Sequence, residues 1–189
     1  MRRAYIFCEG KRTEPDYFSG FNGLLRGSGL RVVVSGEGLE PKRLHEKALS
    51  RFNRARREKN SFSKQDTYWL VFDQDDHASF FYAIDACKDG KISCAYSIPC
   101  FEYWLILHFD DFSSTSGRAT FQKKLEEICK SYDSKGSKGI VFEDFQSGMP
   151  NAINRAKKAR ASRRDEGNQY GCPSTTVDVL VGKLLAAAK

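Results

Sequence analysis

Carboxylates at the ends of two apolar runs are the residues of this sequence best placed to do chemistry. Ala4-Tyr5-Ile6-Phe7-Cys8 leads into Glu9-Gly10, and Tyr68-Trp69-Leu70-Val71-Phe72 leads into Asp73-Gln74-Asp75-Asp76. Apolar runs of this length, rich in aromatic and β-branched residues, read as buried strands. An open α/β sheet binds its ligands beyond the carboxyl ends of its strands, so Glu9, Asp73 and Asp75 are expected to converge on one crevice. Carboxylates gathered there repel one another unless a cation lies between them. Hard oxygen donors select magnesium, calcium or manganese over softer metals. Such an ion polarises a phosphoryl oxygen, neutralises developing charge and activates water. There are plainer readings: an Asp-x-Asp also occurs as a strand-end turn, and Asp76 before His77-Ala78 suits a helix cap. The glycine and terminal glutamate of an EF-hand loop are missing. Gly10-Lys11-Arg12-Thr13 lacks the upstream glycine of a P-loop and carries an acid at position 9, which excludes ATP binding by that loop. Lys11 and Arg12 are left as contacts for a phosphodiester, as is His77 just after the acids.

The elements that must position these groups alternate in type. A strand over 4–8 leads to Thr13, read as the N-cap of a helix with Glu14 and Pro15 in its first turn and an end near Leu25. Leu30 to Val34 is a second apolar run. Pro41 opens a long helix to about Lys59, with Leu44, Ala48, Phe52 and Ala55 on one stripe. A strand over Thr67–Phe72, a short helix over Ala78–Ala86 and a strand over Ile92–Ile98 follow. Pro99 would break a central ladder, so Phe101–Phe109 reads as a buried helix. Within it, Glu102 is either a further ligand or an acid favoured by the helix dipole, and His108 reads as core. Then come an amphipathic helix over Ala119–Tyr132, a polar loop over Asp133–Gly139 and a basic helix from about Asn151 to Arg164. A last helix opens at Ser174 or Thr175, with Asp178 completing a Thr-x-x-Asp cap. This alternation predicts an α/β fold with a mainly parallel central sheet flanked by helices. The chain reads as a single domain over 1–189, with 1–112 the α/β core and 113–189 a mostly helical extension packed on it.

The 189 residues, 40% hydrophobic and 29% charged, have the composition of a soluble globular protein. No apolar run approaches the length of a transmembrane helix, and Met1-Arg2-Arg3 runs into a strand without a signal-peptide cleavage site. A cytoplasmic location without membrane contact is expected. The six cysteines include no Cys-x-x-Cys pair and the three histidines no HExxH pattern, so reduced thiols are expected rather than a disulfide framework or zinc. The net charge of +7 is concentrated in Arg51–Lys59 and in Arg155, Lys157, Lys158, Arg160, Arg163 and Arg164. Either run alone is equally well a solvated helix face. Two of them beside an acidic metal site point to nucleic acid as the partner, with Arg155, Lys158, Arg160, Arg163 and Arg164 holding phosphates.

A glutamate closing strand one and an Asp-x-Asp closing a later strand resemble the signature of the Toprim domain, shared by topoisomerases, primases and the OLD-family nucleases. More narrowly, the chain resembles the RloB family, a Toprim-type group associated with bacterial abortive-infection and phage-defence loci. The resemblance lies in Phe7-Cys8-Glu9-Gly10-Lys11-Arg12-Thr13-Glu14-Pro15-Asp16-Tyr17-Phe18, in Val71–Asp75, in Ser97–Phe109 and in Cys172–Val177, spread over nearly the whole chain. Family members usually carry Asn-Pro-Ser-Phe-Glu where this chain has Ile98-Pro99-Cys100-Phe101-Glu102, and Asn-Pro-Ser-Thr where it has Cys172-Pro173-Ser174-Thr175. The acids are kept and the amides are not. The resemblance implies a Toprim-like fold and Mg2+, or Mn2+, held by Glu9, Asp73 and Asp75. It implies catalysis by those acids with Glu102, Glu9 acting as general acid/base or as a further ligand. It also implies an ATPase encoded alongside as a partner, since the chain has no ATPase motif of its own. The expected activity is a metal-dependent nuclease, cutting RNA (tRNA included) or DNA as a defence effector. The alternative is a catalytically silent nucleic-acid- or partner-binding subunit. Primase-like phosphoryl transfer would need a nucleotide pocket that the sequence does not reveal.

Overall fold

A computed structural model of the chain describes residues 1–58, 64–74 and 78–189. Its centre is a five-stranded sheet of order β2-β1-β3-β4-β5. Strands β1 (Arg2–Cys8), β2 (Leu30–Gly36), β3 (Thr67–Asp73) and β4 (Ser93–Ile98) run parallel, and β5 (Ser174–Thr175) runs antiparallel to β4. The helices are α1 (Thr13–Leu24), α2 (Pro41–Arg57), α3 (Ser79–Ala86), α4 (Phe101–Ile106), α5 (Arg118–Ile128), α6 (Glu143–Gln146), α7 (Met149–Asp165) and α8 (Val177–Ala187).

The apolar runs are continuous because both faces of the sheet are covered, as parallel sheets require. Side chains alternate across the pleat. Tyr5, Phe7, Tyr68, Leu70 and Phe72 enter one core with Leu44 and Ala48 of α2 and Phe80 and Ala83 of α3. Ala4, Ile6, Cys8, Trp69 and Val71 enter the other, with Tyr17, Phe18 and Phe21 of α1 and nearly all of α4. Met149, Ala152 and Ala156 of α7 and Val177, Leu180, Val181 and Leu184 of α8 lie in that second core too. The C-terminal helices therefore complete one layer of the same sheet. All six cysteines are free thiols. Among the described residues, no helix is long and apolar enough to cross a membrane.

Two helix starts differ from the sequence reading. Arg12, not Thr13, occupies the N-cap of α1, and the Thr13 hydroxyl instead donates to the Lys138 carbonyl at 2.7 Å. A distant loop has captured the oxygen that local spacing assigned to capping. Ser174 and Thr175 form β5 rather than the first turn of α8. The outer edge of β4 has polar backbone groups to satisfy, and Thr176 does so by donating its N–H to Tyr96 O at 2.9 Å and accepting the Tyr96 N–H on its hydroxyl. Asp178 then caps nothing; its carboxylate receives the guanidinium of Arg160.

The carboxyl edge is drawn tight by backbone bonds and one small residue. Glu9 N–H donates to Val71 O and Glu37 N–H to Cys8 O, each at 2.9 Å, which ties the end of β1 to both neighbours. A Cβ on Gly36 would stand 2.8 Å from Gly10 O and 2.9 Å from Lys11 Cα, so only glycine lets the ends of β1 and β2 close.

Candidate functional site

Beyond that edge lies a cleft of about 300 Å³, walled by the loop after β1, the last residue of β3 and the starts of α1, α4 and α5. Among the described residues, four carboxylates line it: Glu9, Glu14, Asp73 and Glu102. Glu9 accepts the Asp73 backbone N–H on Oε2 at 3.1 Å, so the two strand ends singled out by the sequence are joined through the predicted acid itself. Glu14, one turn into the site from α1, accepts the Gly10 N–H on Oε1 at 3.2 Å. A Cβ at position 10 would lie 2.0 Å from Glu14 Oε2, so the glycine after Glu9 is what lets this second glutamate fold over the loop.

Electrostatics separates Glu14 and Asp73 from Glu102. Burial, followed by the charges of Glu102 and Glu9, pushes the Glu14 carboxyl up to about 7. Burial and then Glu14 push Asp73 well above the usual carboxylate range, against the opposing pull of Arg118. Arg118 Nη2 stands 2.9 Å from Asp73 Oδ2, while Asp73 Oδ1 is buried with no hydrogen-bond partner among the described residues. Burial also acts upward on Glu102, but hydrogen bonds from Tyr132, Cys100 and Gln122 outweigh it and hold that carboxyl below its usual range. The Tyr132 hydroxyl reaches Glu102 Oε1 at 2.7 Å and Gln122 Nε2 at 3.2 Å. Glu102 is thus held as an anion, whereas Glu14 and Asp73 are pushed toward their neutral forms.

The cleft brings together Glu9, Asp73, Glu102, Lys11 and Arg12. Asp75 and His77 lie outside the described residues. The basic helix α7 is elsewhere, and several of its cations are turned inward. Arg155 Nη1 donates to Leu107 O at 2.7 Å. Arg160 grips the Asp178 carboxylate and the Thr175 carbonyl. Arg163 donates to Cys172 O at 3.2 Å and to Glu166 at 2.7 Å. Lys158 Nζ lies 3.5 Å from Asp111 Oδ2, and it, Lys157 and Arg164 are exposed. His108 belongs to an aromatic core rather than to the cleft: Nδ1 donates to Trp104 O and Nε2 accepts the Tyr17 hydroxyl, both at 3.0 Å.

Sequence reasoning missed three charged residues of the cleft. Glu14 was legible only as a first-turn acid, although it stands five residues after Glu9 on the same loop-to-helix segment. Arg118 carried no local signal. Lys138 belongs to a polar loop whose Gly136, Ser137 and Lys138 close the cleft from the far side, with Lys138 at a left-handed φ of 52°. Among the described residues, no three His, Cys, Asp or Glu side chains are already drawn together as a metal shell; each cleft acid is instead engaged by a donor of the protein.

Fold and site together define an α/β protein with an acidic cleft at the carboxyl edge of a parallel sheet. The sequence model of the RloB-like protein family matches residues 4–184, and the chain belongs to that family. No curated protein and no solved structure matches it.

Proposed function

We propose that this protein is a metal-dependent phosphodiesterase of the Toprim type, a nuclease cutting RNA or DNA as the effector of a bacterial defence system. The observation that carries the reading is Asp73: a buried carboxylate with an unpartnered Oδ1, in a cleft shared with Glu9, Glu14 and Glu102. A donor set of carboxylate oxygens alone fits a hard divalent cation, and an orphaned buried oxygen is the kind of atom such a cation satisfies. Glu9 and Asp73 would hold the ion, joined by Asp75 on the resemblance of the Asp-x-Asp. Bound there, magnesium or manganese would supply a Lewis acid and an activated water. Lys11, Arg12 and Lys138 line the same cleft and suit the substrate's phosphates. Glu9 is the candidate general acid/base, oriented by the Asp73 amide. Glu102, fixed by three donors, serves as a constant negative charge opposite.

The test is incubation of the purified protein with total cellular RNA and DNA, with and without Mg2+ or Mn2+, beside Asp73→Asn. Metal-dependent cleavage lost in the variant is the expected result. An intact substrate panel, with the fold and Mn2+ binding verified, would leave the silent-subunit reading. The ion pair of Asp73 with Arg118 favours that second reading.

A further inference from the structure

Arg118 stands where a cation belongs. It is the first residue of α5, a helix anchored by buried Phe121 and Leu125. The Phe121 ring is gripped edge-on by Tyr103 at 5.7 Å and Phe112 at 5.3 Å. The backbone of Arg118 is therefore fixed while its side chain is long and remains 38% exposed, with a route to solvent. Its guanidinium bonds Asp73 Oδ2 at 2.9 Å, and the Asp73 side chain beneath is only 10% exposed. Asp73 Oδ1 is sealed from water and has no hydrogen-bond partner among the described residues. The guanidinium occupies Asp73 Oδ2, so an incoming ion that takes both oxygens of Asp73 must displace it.

We propose that Arg118 is the resident counter-cation of Asp73, exchanged for a divalent metal ion and thereby released to the phosphate of a nucleic-acid substrate. This rests on the metal-dependent reading above. Arg118 is then a positioning residue that passes from Asp73 to the phosphodiester. A guanidinium presents a planar fork that fits carboxylate and phosphate alike, so the same group can serve Asp73 before metal binding and the phosphodiester after it. The exchange couples two ligands: metal frees the arginine for the polyanion, and the polyanion, by holding the arginine, strengthens metal binding by the same factor.

The experiment is titration of Mn2+ alone, followed by calorimetry and by the electron-spin signal of free Mn2+, into the full chain and into Arg118→Gln and Asp73→Asn. Removing a competing cation should tighten Mn2+ binding by roughly tenfold, within the common range of such couplings, whereas Asp73→Asn should weaken it. Because Arg118→Gln leaves Asp73 uncompensated and can lose its fold, nitrogen-15 NMR of the arginine side chains follows the exchange in the unaltered protein. Arg118→Lys, which keeps the charge, identifies the signal. Added Mg2+ should loosen the Arg118 guanidinium, seen as faster rotation of its side-chain signal, and a short single-stranded oligonucleotide should restrain it again. Unchanged or weaker Mn2+ binding in Arg118→Gln, or an Arg118 signal indifferent to Mg2+ that the unaltered protein demonstrably binds, overturns the exchange and leaves the metal reading standing. No Mn2+ binding by the unaltered protein overturns the metal reading, and the exchange with it.

Discussion

At the scale of single residues, the cleft and the core hold titratable groups at odds with their surroundings. Asp73 is buried and pushed toward its neutral form by burial and by Glu14. Asp73→Asn supplies a neutral group of the same shape, so the melting temperature should hold or rise while metal-dependent cleavage disappears. A loss of several degrees would show that Asp73 is a structural group. His108 offers a cleaner reading of pH. Burial, with the nearby Arg155 charge, brings its pKa down to about 4, against supporting contacts from Trp104 and Leu105. A histidine depressed in the folded state stabilises the fold fully above its unfolded value of about 6.5 and loses that contribution as the pH falls toward about 4. The full loss amounts to about 3 kcal/mol. Urea unfolding of His108→Gln and of the unaltered protein should therefore give parallel stabilities above pH 7. The unaltered protein should fall relative to the variant between pH 6.5 and 4. Parallel curves throughout would mean that the imidazole takes up its proton without cost.

Elements packed through the two apolar cores are joined in addition by a buried polar staple. Helix α7 docks on α8 and β5 through Arg160, whose guanidinium meets both Asp178, its side chain 1% exposed, and the Thr175 carbonyl. Removing one member of such a pair leaves a buried charge uncompensated, a cost of about 3–5 kcal/mol, whereas replacing both with apolar groups is often neutral. Arg160→Met should thus destabilise by that order and Arg160→Met with Asp178→Leu much less, as measured by chemical denaturation. Equal losses in the single and double variants would place the cost in packing. A second element-scale contact is Gly20 on α1, where a Cβ would lie 2.1 Å from the Phe142 ring. Gly20→Ala gains helix propensity of less than 1 kcal/mol but forces α1 away from the 140–142 segment, so the net effect should be a loss of about 1–3 kcal/mol.

For the whole molecule, a net charge of +7 would suit the proposed polyanionic partner, and the cations of α7 divide into inward and outward ones. Arg155 and Arg160 are inward donors, while Lys157, Lys158 and Arg164 face water. Lys157→Glu with Arg164→Glu should therefore weaken binding to all nucleic acids alike and reduce the salt slope by about two. Stability should change by less than about 0.5 kcal/mol. Unchanged binding and slope would move the nucleic acid off this helix. The sequence by itself determined the parallel α/β order and which strand ends carry acids, because period, apolar run length and side-chain chemistry are local properties. It also marked Glu9, Asp73 and Glu102, whose positions next to strand ends follow from that order. Tertiary structure alone decided that Glu14 folds over Gly10, that Thr13 serves a loop 125 residues away and that Arg118 covers an acid 45 residues earlier. It likewise decided that Arg160 turns inward, because a long side chain goes to whichever buried partner the packing of distant helices brings within reach, and no spacing along the chain records that distance.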